Sequence, residues 1–317
     1  MKQLVTLGEA MLRLSVSPGD RLQDAPAFQV HVAGSEANVA FAAARVGLRA
    51  AWVSALPDNS LGRRVAGTLA SGGVDLSLVH WVSGGRLGLC FVEMGAAPRP
   101  ISILYDRAAS TMALATVDSF DWQSIADTQF MHVSGIMLGL SDSSREVAIR
   151  AIKEGRSRGA LVSFDMNYRQ KLWDRRAAAA AAREVAPLVD VLICTAEDAR
   201  DLFDADRAPE SAIAKLAADL GVESIVLTLG PEGAIASRGG ATFRRAGHPV
   251  ETVDRVGAGD AFVAGLIWGL IDGSLELGIE RGLAMSALKM TLHGDLFRLD
   301  AADVAALLAR DRREVGR

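Results

Sequence analysis

Three small residues precede an aspartate in the stretch DRVGAGDAF, residues 254–262. The apolar run that follows predicts a buried helix, with Gly257, Ala258 and Gly259 at its first turn. Backbone N–H groups at a helix start lack partners and lie at the positive end of the helix dipole, so they can bind a phosphoryl group during its transfer. Beside that anion, Asp260 is placed to accept a proton from an attacking hydroxyl.

Two other interpretations compete for these residues. The glycines could simply shape a tight turn, with Asp260 sitting favourably near the start of a helix. A Rossmann dinucleotide site fits less well, because the third glycine of GxGxxG would fall at Phe262 and no acidic residue follows at the expected distance. A Walker-type loop is excluded, since GK[ST] does not occur in the sequence.

The elements that must position this motif alternate along most of the chain. From about residue 128, β-branched runs such as QFMHVSGI, ALVSFDMN and ESIVLTLG are separated by helical stretches. This alternation is typical of a mostly parallel sheet covered by helices on both faces. The six alanines at 177–182, flanked by arginines, predict an ordinary exposed helix within that pattern.

The first 110 residues follow a different pattern. Polar and apolar residues alternate in AMLRLSV, AFQVHVAG, RLGLCFVEM and PISILYD, which indicates strands of a small sheet with one wet face. Between them, SEANVAFAAARVG predicts a helix. We therefore expect one large α/β body with a small β extension.

Composition excludes several classes of function. With 50% hydrophobic and 23% charged residues over 317 positions, the chain can bury a sizeable core. A net charge of -4 and the lack of a long basic run argue against a nucleic-acid partner. We expect no signal peptide and no membrane association. Cys90 and Cys194 are isolated, which excludes a disulfide framework or thiolate zinc site and favours a reducing cytoplasm.

A second motif accompanies the glycine turn. The stretch AGSEANVAFAAARVGLRAAWVSALPDNSLGRRV, residues 33–65, places Gly34 and Asn38 at the entrance of a helix. Together with DRVGAGDAF it resembles the two signature regions of the ribokinase-like (pfkB) carbohydrate kinases, and the resemblance covers essentially the full chain. It implies a single domain, residues 1–317, folded as a three-layer α/β sandwich with a mostly parallel central sheet. A β lid would be built from about 10–33 and 84–107.

The resemblance also implies roles for the glycine turn and the lid. Asp260 would be the catalytic base, and the backbone of Gly257, Ala258 and Gly259 would form the anion hole. The lid would close over the sugar and exclude water. ATP and Mg²⁺ would be the cofactors, and pairing of lid strands between protomers would give a homodimer.

Substrate recognition is predicted from FDMNYRQKLW, residues 164–173. This segment follows a strand and places Asp165, Asn167 and Arg169 near its carboxyl end, where open α/β sheets bind ligands. A guanidinium there suits a substrate carboxylate, which it can hold through two parallel hydrogen bonds. Considered without the rest of the sequence, Arg169 is more readily interpreted as part of a structural salt bridge than as a substrate ligand.

A further cluster on the predicted lid, LYDRAAS, supplies Tyr105 and Arg107. The combination resembles the 2-keto-3-deoxygluconate kinases of the family, in which the residues matching Gly34, Tyr105, Arg107 and Arg169 contact the sugar acid. Fructokinases of the family share the DxNxR pattern. The assignment to a sugar-acid kinase over a fructokinase therefore rests on the Tyr105 and Arg107 pair. Some sugar-acid kinases of this type carry a tyrosine where this chain has Cys90, which puts one substrate contact in doubt.

Two more residues complete the predicted substrate site. Asn38 stands at the entrance of the helix in the first motif, and Asp295 lies in the GDLF stretch near the C-terminus. Asp295 is also consistent with an acidic loop residue that has no role in binding.

The nucleotide site is predicted by resemblance as well. TLGPEGA, residues 228–234, is similar to the family's loop beside ATP, which implies Thr228, Gly230 and Gly233 as contacts; the segment also fits a hairpin between two strands. The family's Asn-x-x-Glu motif is altered here to the run Thr195, Ala196, Glu197, Asp198. Asp198 would act through a metal-bound water, and the metal ligands stay undefined.

These residues predict an enzyme that moves the γ-phosphoryl group of Mg-ATP to a terminal hydroxyl, O6 of 2-keto-3-deoxygluconate. Arg107 and Arg169 would act as a clamp that orients the carboxylate end of the substrate, since a carboxylate explains two arginines better than a neutral sugar would. Its partners would be a small sugar acid and ATP. The alternative within the same class is a fructokinase or another pfkB-type sugar kinase. A non-catalytic sugar-binding protein and, more remotely, a nicotinamide-dependent oxidoreductase stay open.

Overall fold

A nine-stranded sheet forms the centre of the computed structural model, which describes residues 1–95 and 98–315. Its strand order is β13-β12-β11-β10-β9-β8-β1-β4-β5, parallel from β5 to β11 and antiparallel where β12 and β13 join. The strands are β1 (Lys2–Leu7), β4 (Ala50–Pro57), β5 (Val79–Val82), β8 (Thr128–Ser134), β9 (Leu161–Asp165), β10 (Val191–Thr195), β11 (Ser224–Thr228), β12 (Ala234–Arg238) and β13 (Ala241–Arg245).

A smaller sheet, four-stranded in the described part of the chain, lies beside the large one with the order β3-β2-β6-β7. Its strands are β2 (Met11–Ser15), β3 (Gln29–Ala33), β6 (Gly88–Glu93) and β7 (Ser102–Asp106). They fall within the two segments predicted for the β extension, of which residues 96 and 97 lie outside the described residues. Arg13, Cys90 and Tyr105 are aligned across β2, β6 and β7, and this row faces the cavity described below.

Helices cover both faces of the large sheet. They are α1 (Ser35–Arg45), α2 (Ser60–Ser71), α3 (Trp122–Ile125), α4 (Gly135–Leu140), α5 (Asp142–Ser157), α6 (Arg175–Val185), α7 (Ala196–Phe203), α8 (Pro209–Leu220), α9 (Ala258–Ile271), α10 (Leu275–Met290) and α11 (Ala301–Val315). Successive strand residues serve opposite faces: Phe130 packs with the α1, α9 and α10 side, and Met131 with the α5 and α6 side. Burial on both faces explains the nearly continuous apolar strands.

The three-layer α/β fold and the small second sheet confirm the predicted fold class. One local prediction was wrong. The alanine run lies in α6 as expected, but the helix is not simply exposed, because it packs its small side chains against the core; those buried are Ala178, Ala179, Ala181 and Ala182. Within the described residues, no helix is long and apolar enough to cross a membrane.

Candidate active site

Asp260 lies in the first turn of α9, and both oxygens of its carboxylate accept hydrogen bonds. Ser35 Oγ donates to Oδ1 at 2.7 Å and Asn38 Nδ2 donates to Oδ2 at 2.7 Å. Burial raises the pKa of Asp260, and the bonds from Asn38 and Ser35 oppose that rise. The carboxylate is therefore held in one orientation at the floor of a cavity, where it can accept a proton.

Ser35 also connects Asp260 to the central sheet. Asn167 Nδ2 donates to Ser35 Oγ at 2.8 Å, and the Asn167 amide donates to Asp165 Oδ1 at 3.2 Å. Asn167 has a φ of 39°, in the left-handed region, which asparagine tolerates better than most residues. Ser35 was missed by the sequence analysis, although it directly follows Gly34 in the quoted motif.

The glycine turn stands at the start of α9 as predicted. Gly257 has a φ of 85°, and a Cβ there would lie 2.1 Å from the backbone oxygen of Asp295. A Cβ on Gly259 would meet nothing within 4 Å, so the protein's own packing does not require glycine at that position. The open space in front of Gly259 is where a bound group could approach the backbone.

The amides of this turn are only partly engaged. The Ala258 amide donates to the Arg255 carbonyl at 3.2 Å, whereas within the described residues the amides of Gly257 and Gly259 have no acceptor. N–H groups left free at the positive end of a helix suit an anion. Of the three residues predicted for the anion hole, two therefore have free amides.

One small cavity, of about 110 Å³, brings the predicted substrate residues together in front of Asp260 and Gly257. All six of them line it: Gly34, Asn38, Tyr105, Arg107, Arg169 and Asp295. Gly34 is required by packing, because a Cβ there would lie 2.4 Å from the Glu9 carbonyl oxygen. Glu9 and Arg13, which sequence analysis did not single out, line the same cavity.

Arg107 forms a buried ion pair with Glu9. Its Nε donates to Glu9 Oε2 at 2.8 Å and Nη2 donates to the same oxygen, while the Ser110 hydroxyl donates to Oε1. The positive charge of Arg107 is thus largely balanced inside the protein. Glu9 lies two residues after the end of the apolar strand β1, where an acidic residue is ordinarily interpreted as part of a solvated loop.

Arg13 links the small sheet to the glycine-turn motif. Its Nη2 donates to Asp254 Oδ2 at 2.6 Å and its Nη1 lies 3.1 Å from Asp295 Oδ2, with all three side chains buried. Burial raises the pKa of Asp295 to about 7, and Arg13 opposes that rise. Asp295 lines the cavity, but its carboxylate is directed to Arg13. The signal for Arg13 was an arginine within the apolar strand MLRLS.

Arg169 is the arginine of the cavity lining that, within the described residues, has no carboxylate within ion-pair distance. At longer range its charge opposes the rise in the pKa values of Asp165, Asp198 and Asp260. Its side chain is exposed, and Nη1 donates only to the Tyr168 carbonyl at 3.3 Å. Within the described residues, the structural salt bridge that the sequence left open for Arg169 is not found.

The carboxyl group of Asp165 lies close enough to those of Asp260 and Asp198 for their charges to interact. Burial raises the pKa of Asp165 to about 8, and the charges of Asp260 and Asp198 add to that rise. Burial also raises the pKa of Asp198, whose amide donates to Thr195 Oγ1 at 2.9 Å at the start of α7. Thr195 therefore caps this helix. Carboxyls that repel one another in this way are placed to receive a cation.

A metal site built from protein alone is not found: the described residues contain no cluster of three or more His, Cys, Asp or Glu side chains able to hold an ion. A magnesium ion here would need oxygen ligands from a bound phosphate and from water, which is its usual preference.

The predicted nucleotide loop is a hairpin turn, the alternative that the sequence left open. Thr228 ends β11, and a short 3₁₀ turn, Gly230–Glu232, leads to the antiparallel β12. Gly233 has a φ of 102°, and a Cβ there would lie 2.0 Å from the Arg245 carbonyl oxygen. The hairpin accounts for Gly233, while nucleotide binding by this loop stays a prediction.

Cys90 lies on the cavity wall, aligned with Tyr105 on the neighbouring strand. Burial raises the pKa of its thiol to about 12, so it is a protonated, apolar wall residue, as the sequence indicated. No tyrosine hydroxyl enters the cavity from this position.

Comparison with known proteins gives matches along almost the whole chain. The model for the pfkB family carbohydrate kinases matches residues 1–301. The 2-dehydro-3-deoxygalactonokinase of Haloferax volcanii is 38% identical over 307 residues, which cover 96% of either chain. The 2-dehydro-3-deoxygluconokinase of Thermoproteus tenax is 35% identical over 301 residues, covering 93% of this chain and 90% of the relative. The crystal structure of 2-dehydro-3-deoxygluconokinase from Thermotoga maritima is similar with a TM-score of 0.90 at 32% identity, covering 98% of this chain and 99% of that one.

Proposed function

The chain belongs to the pfkB family of carbohydrate kinases, and we propose that it phosphorylates a 2-keto-3-deoxy sugar acid, with 2-keto-3-deoxygluconate the first candidate. The observation that carries this proposal is one cavity lined both by a held carboxylate, Asp260, and by Arg169, an arginine without an ion-pair partner among the described residues. The relatives named for 2-dehydro-3-deoxygluconate and 2-dehydro-3-deoxygalactonate, systematic names for 2-keto-3-deoxy acids, support the same substrate class.

In the proposed reaction, the terminal O6 hydroxyl of the sugar acid attacks the γ-phosphorus of ATP. Asp260 accepts the hydroxyl proton while the new O–P bond forms and the bond from phosphorus to the β-phosphate oxygen breaks, which releases ADP. The free amides of Gly257 and Gly259 donate to the phosphoryl oxygens as negative charge builds up on them. Ser35 and Asn38 keep the carboxylate aimed at the hydroxyl.

The carboxylate end of the substrate is assigned to Arg169. Among the arginines of the cavity, Arg13 is engaged by two aspartates and Arg107 by Glu9, which leaves Arg169 to balance a substrate charge. Arg107 and Tyr105 contribute directional contacts on the side of the small sheet, with the Arg107 guanidinium 5.6 Å from the centre of the Tyr105 ring. This division of roles replaces a clamp of two equivalent arginines.

ATP and Mg²⁺ complete the proposal. Magnesium would neutralise the phosphates of ATP during transfer. Asp198 would hold it through water. Burial raises the pKa of Asp165 and the charges of Asp260 and Asp198 add to that rise, so a cation beside these carboxyls would relieve their repulsion. Thr228, Gly230 and Gly233 stay the proposed nucleotide contacts.

The small sheet is proposed to act as the lid. Lys171 of the large body donates a hydrogen bond to the Ile103 carbonyl on β7, and this bond links the small sheet to the large body. Its outer face carries the aligned row Leu14, Phe91 and Leu104; the Leu104 side chain is 60% exposed. Leu14 and Phe91 are half-buried, so Leu104 supplies most of the exposed apolar surface of this row. Burial of that surface against a second copy would favour the proposed homodimer. The unpaired cysteines favour a cytoplasmic location.

The deciding experiment measures ADP release from Mg-ATP with 2-keto-3-deoxygluconate, 2-keto-3-deoxygalactonate, gluconate, fructose and ribose as acceptors. Turnover restricted to the 2-keto-3-deoxy acids would support the proposal, and the ratio between the first two would report how the cavity reads the C4 stereocentre. Preference for fructose or ribose would overturn the sugar-acid assignment while keeping the kinase.

A further inference from the structure

Lys289 is completely buried near the end of α10, and its ammonium group lies behind the glycine turn. Nζ donates to the backbone oxygen of Asp254 at 2.9 Å and to that of Leu292 at 3.4 Å. Lysine is almost never fully buried, because an ammonium group loses its hydration at a large cost in free energy. The proposed mechanism has so far given this charge no role.

The charged groups around Lys289 do not form one-to-one ion pairs. Its two hydrogen-bond acceptors are neutral carbonyls, and the nearest carboxyls, Asp254 and Asp295, are both engaged by Arg13. Since burial raises the pKa of Asp295 to about 7, that carboxyl is partly protonated at neutral pH. Lys289 therefore has no carboxylate of its own, and the charge of Asp260, the proposed base, also acts on it.

Hydrogen bonds connect this cluster to the segment that leads into the glycine turn. The amides of Val253 and Asp254 donate to the Met290 carbonyl at 2.8 and 3.2 Å, and the Val256 amide donates to Asp254 Oδ1 at 3.0 Å. Gly257, with its free amide, comes next in the chain. Lys289 thus holds the backbone just before the predicted anion hole.

We propose that Lys289 is a positioning residue for phosphoryl transfer, which fixes the backbone entering the glycine turn and supplies a positive charge near the anion bound there. The inference rests on the proposed function, because it needs a phosphoryl group in the turn. Charge fixed in advance around a developing anion stabilises the transition state more than the ground state. A neutral side chain of similar length would fill the space but leave both carbonyls unpaired and the anion without this charge.

The first test replaces the ammonium with a side chain of similar length, Lys289→Met. We expect kcat to fall roughly 100-fold, as when one transition-state donor is removed, with the KM values for sugar acid and Mg-ATP changed less than about threefold. Met285→Ala, a fully buried change on the same helix, is the control for lost packing and should keep kcat within about threefold. A Lys289→Met enzyme with nearly normal kcat, or an equal loss in the control, would overturn the proposal.

A second measurement uses the wild-type protein, in case the variant does not fold. The chain has only five lysines, so ¹³C labelling at lysine Cε gives few signals, and Lys→Arg changes at Lys2, Lys153, Lys171 and Lys215 assign Lys289 by exclusion. Burial lowers the pKa of Lys289, and an anion in the turn should raise it. We expect that rise on adding Mg-ADP, fluoroaluminate and sugar acid; no change in an enzyme that turns over would overturn the inference.

The two failures are distinguishable. A wild-type protein without turnover on any acceptor would refute the proposed kinase activity itself. An active wild type with an indifferent Lys289 would refute only this inference.

Discussion

Ser35 donates a 2.7 Å hydrogen bond to Asp260 across 225 residues of sequence. This contact joins the two signature motifs into one site, because the hydroxyl of the first motif orients the carboxylate of the second. Ser35 in turn accepts from Asn167, so the orientation of Asp260 is set from the central sheet. The predictions below follow from this arrangement and from the charges around it.

Removing the base tests the central role. Asp260→Asn keeps the size of the side chain but cannot accept the proton, so we expect kcat to fall by roughly 10²–10⁴. Sugar-acid affinity, measured by calorimetry, should stay close to that of the wild type. Substantial remaining turnover would place the base elsewhere.

Ser35→Ala should change the pH profile of kcat/KM. The base works only when ionised, so activity is lost as pH falls through the pKa of Asp260, which burial already raises. Without the Ser35 bond that stabilises the carboxylate, this pKa rises further and the acidic limb moves to higher pH. An unshifted limb would show that the contact does not act on the base.

Arg169→Ala should raise the KM for the sugar acid far more than the KM for ATP. Two charge-assisted hydrogen bonds are lost, each worth about 1.5–3 kcal/mol, which corresponds to at least a tenfold effect. Arg175→Ala is the matched control, because Arg175 is exposed and pairs with Asp201 away from the cavity lining. Equal effects on both substrates would remove the role assigned to Arg169.

The Glu9 and Arg107 pair should show strong coupling in stability. Glu9→Gln and Arg107→Met each leave an uncompensated buried charge, so each should lower the free energy of unfolding by about 3–5 kcal/mol, whereas the double variant should lose less than their sum. Urea denaturation of the four proteins measures this coupling. Additive losses would contradict the buried pair.

His132 should make the protein sensitive to acid. Burial lowers the pKa of His132 to about 3, from an ordinary value of 6.5, so between these values the unfolded chain binds more protons and stability falls as pH falls. The contribution of neutral His132 to the free energy of unfolding is fully present above pH 6.5. It is lost as pH falls, with a slope of up to about 1.4 kcal/mol per pH unit. Carboxyls with raised pKa values act in the opposite direction, so a difference measurement is needed.

The measurement compares the unfolding free energies of wild type and His132→Gln from pH 4 to 8, with His80→Gln as the exposed control. The wild type should lose stability relative to His132→Gln as the solution is acidified. A constant difference would contradict the assignment.

Periodicity in the sequence was sufficient for the fold. Buried strands such as β9 and β10 are continuous apolar runs, and the strands of the small sheet alternate, because each pattern follows from how many faces are covered. The alanine run in α6 was judged exposed from its flanking arginines, yet small side chains are what allow a helix to pack closely. Local composition does not report that kind of contact.

Residues of the site could be predicted only where they belong to a recognisable sequence motif. Asp260, the glycine turn and the six substrate candidates were identified from motifs, and the structure places them together. Glu9 and Arg13 were missed because their partners, Arg107 and Asp254, lie 98 and 241 residues away in sequence. Which charges neutralise which is decided by tertiary contact, and that is why the sequence treated Arg107 and Arg169 as equivalent.

The close approach of Gly257 to the Asp295 carbonyl has a consequence for biosynthesis. Ser35 and Asn38 are synthesised more than 200 residues before Asp260, the turn and the loop that packs behind it. A nascent chain that stops before residue 295 has no support behind Gly257. We therefore expect chains truncated between Asp260 and residue 295 to keep the base but lack the support of the glycine turn, and to be inactive.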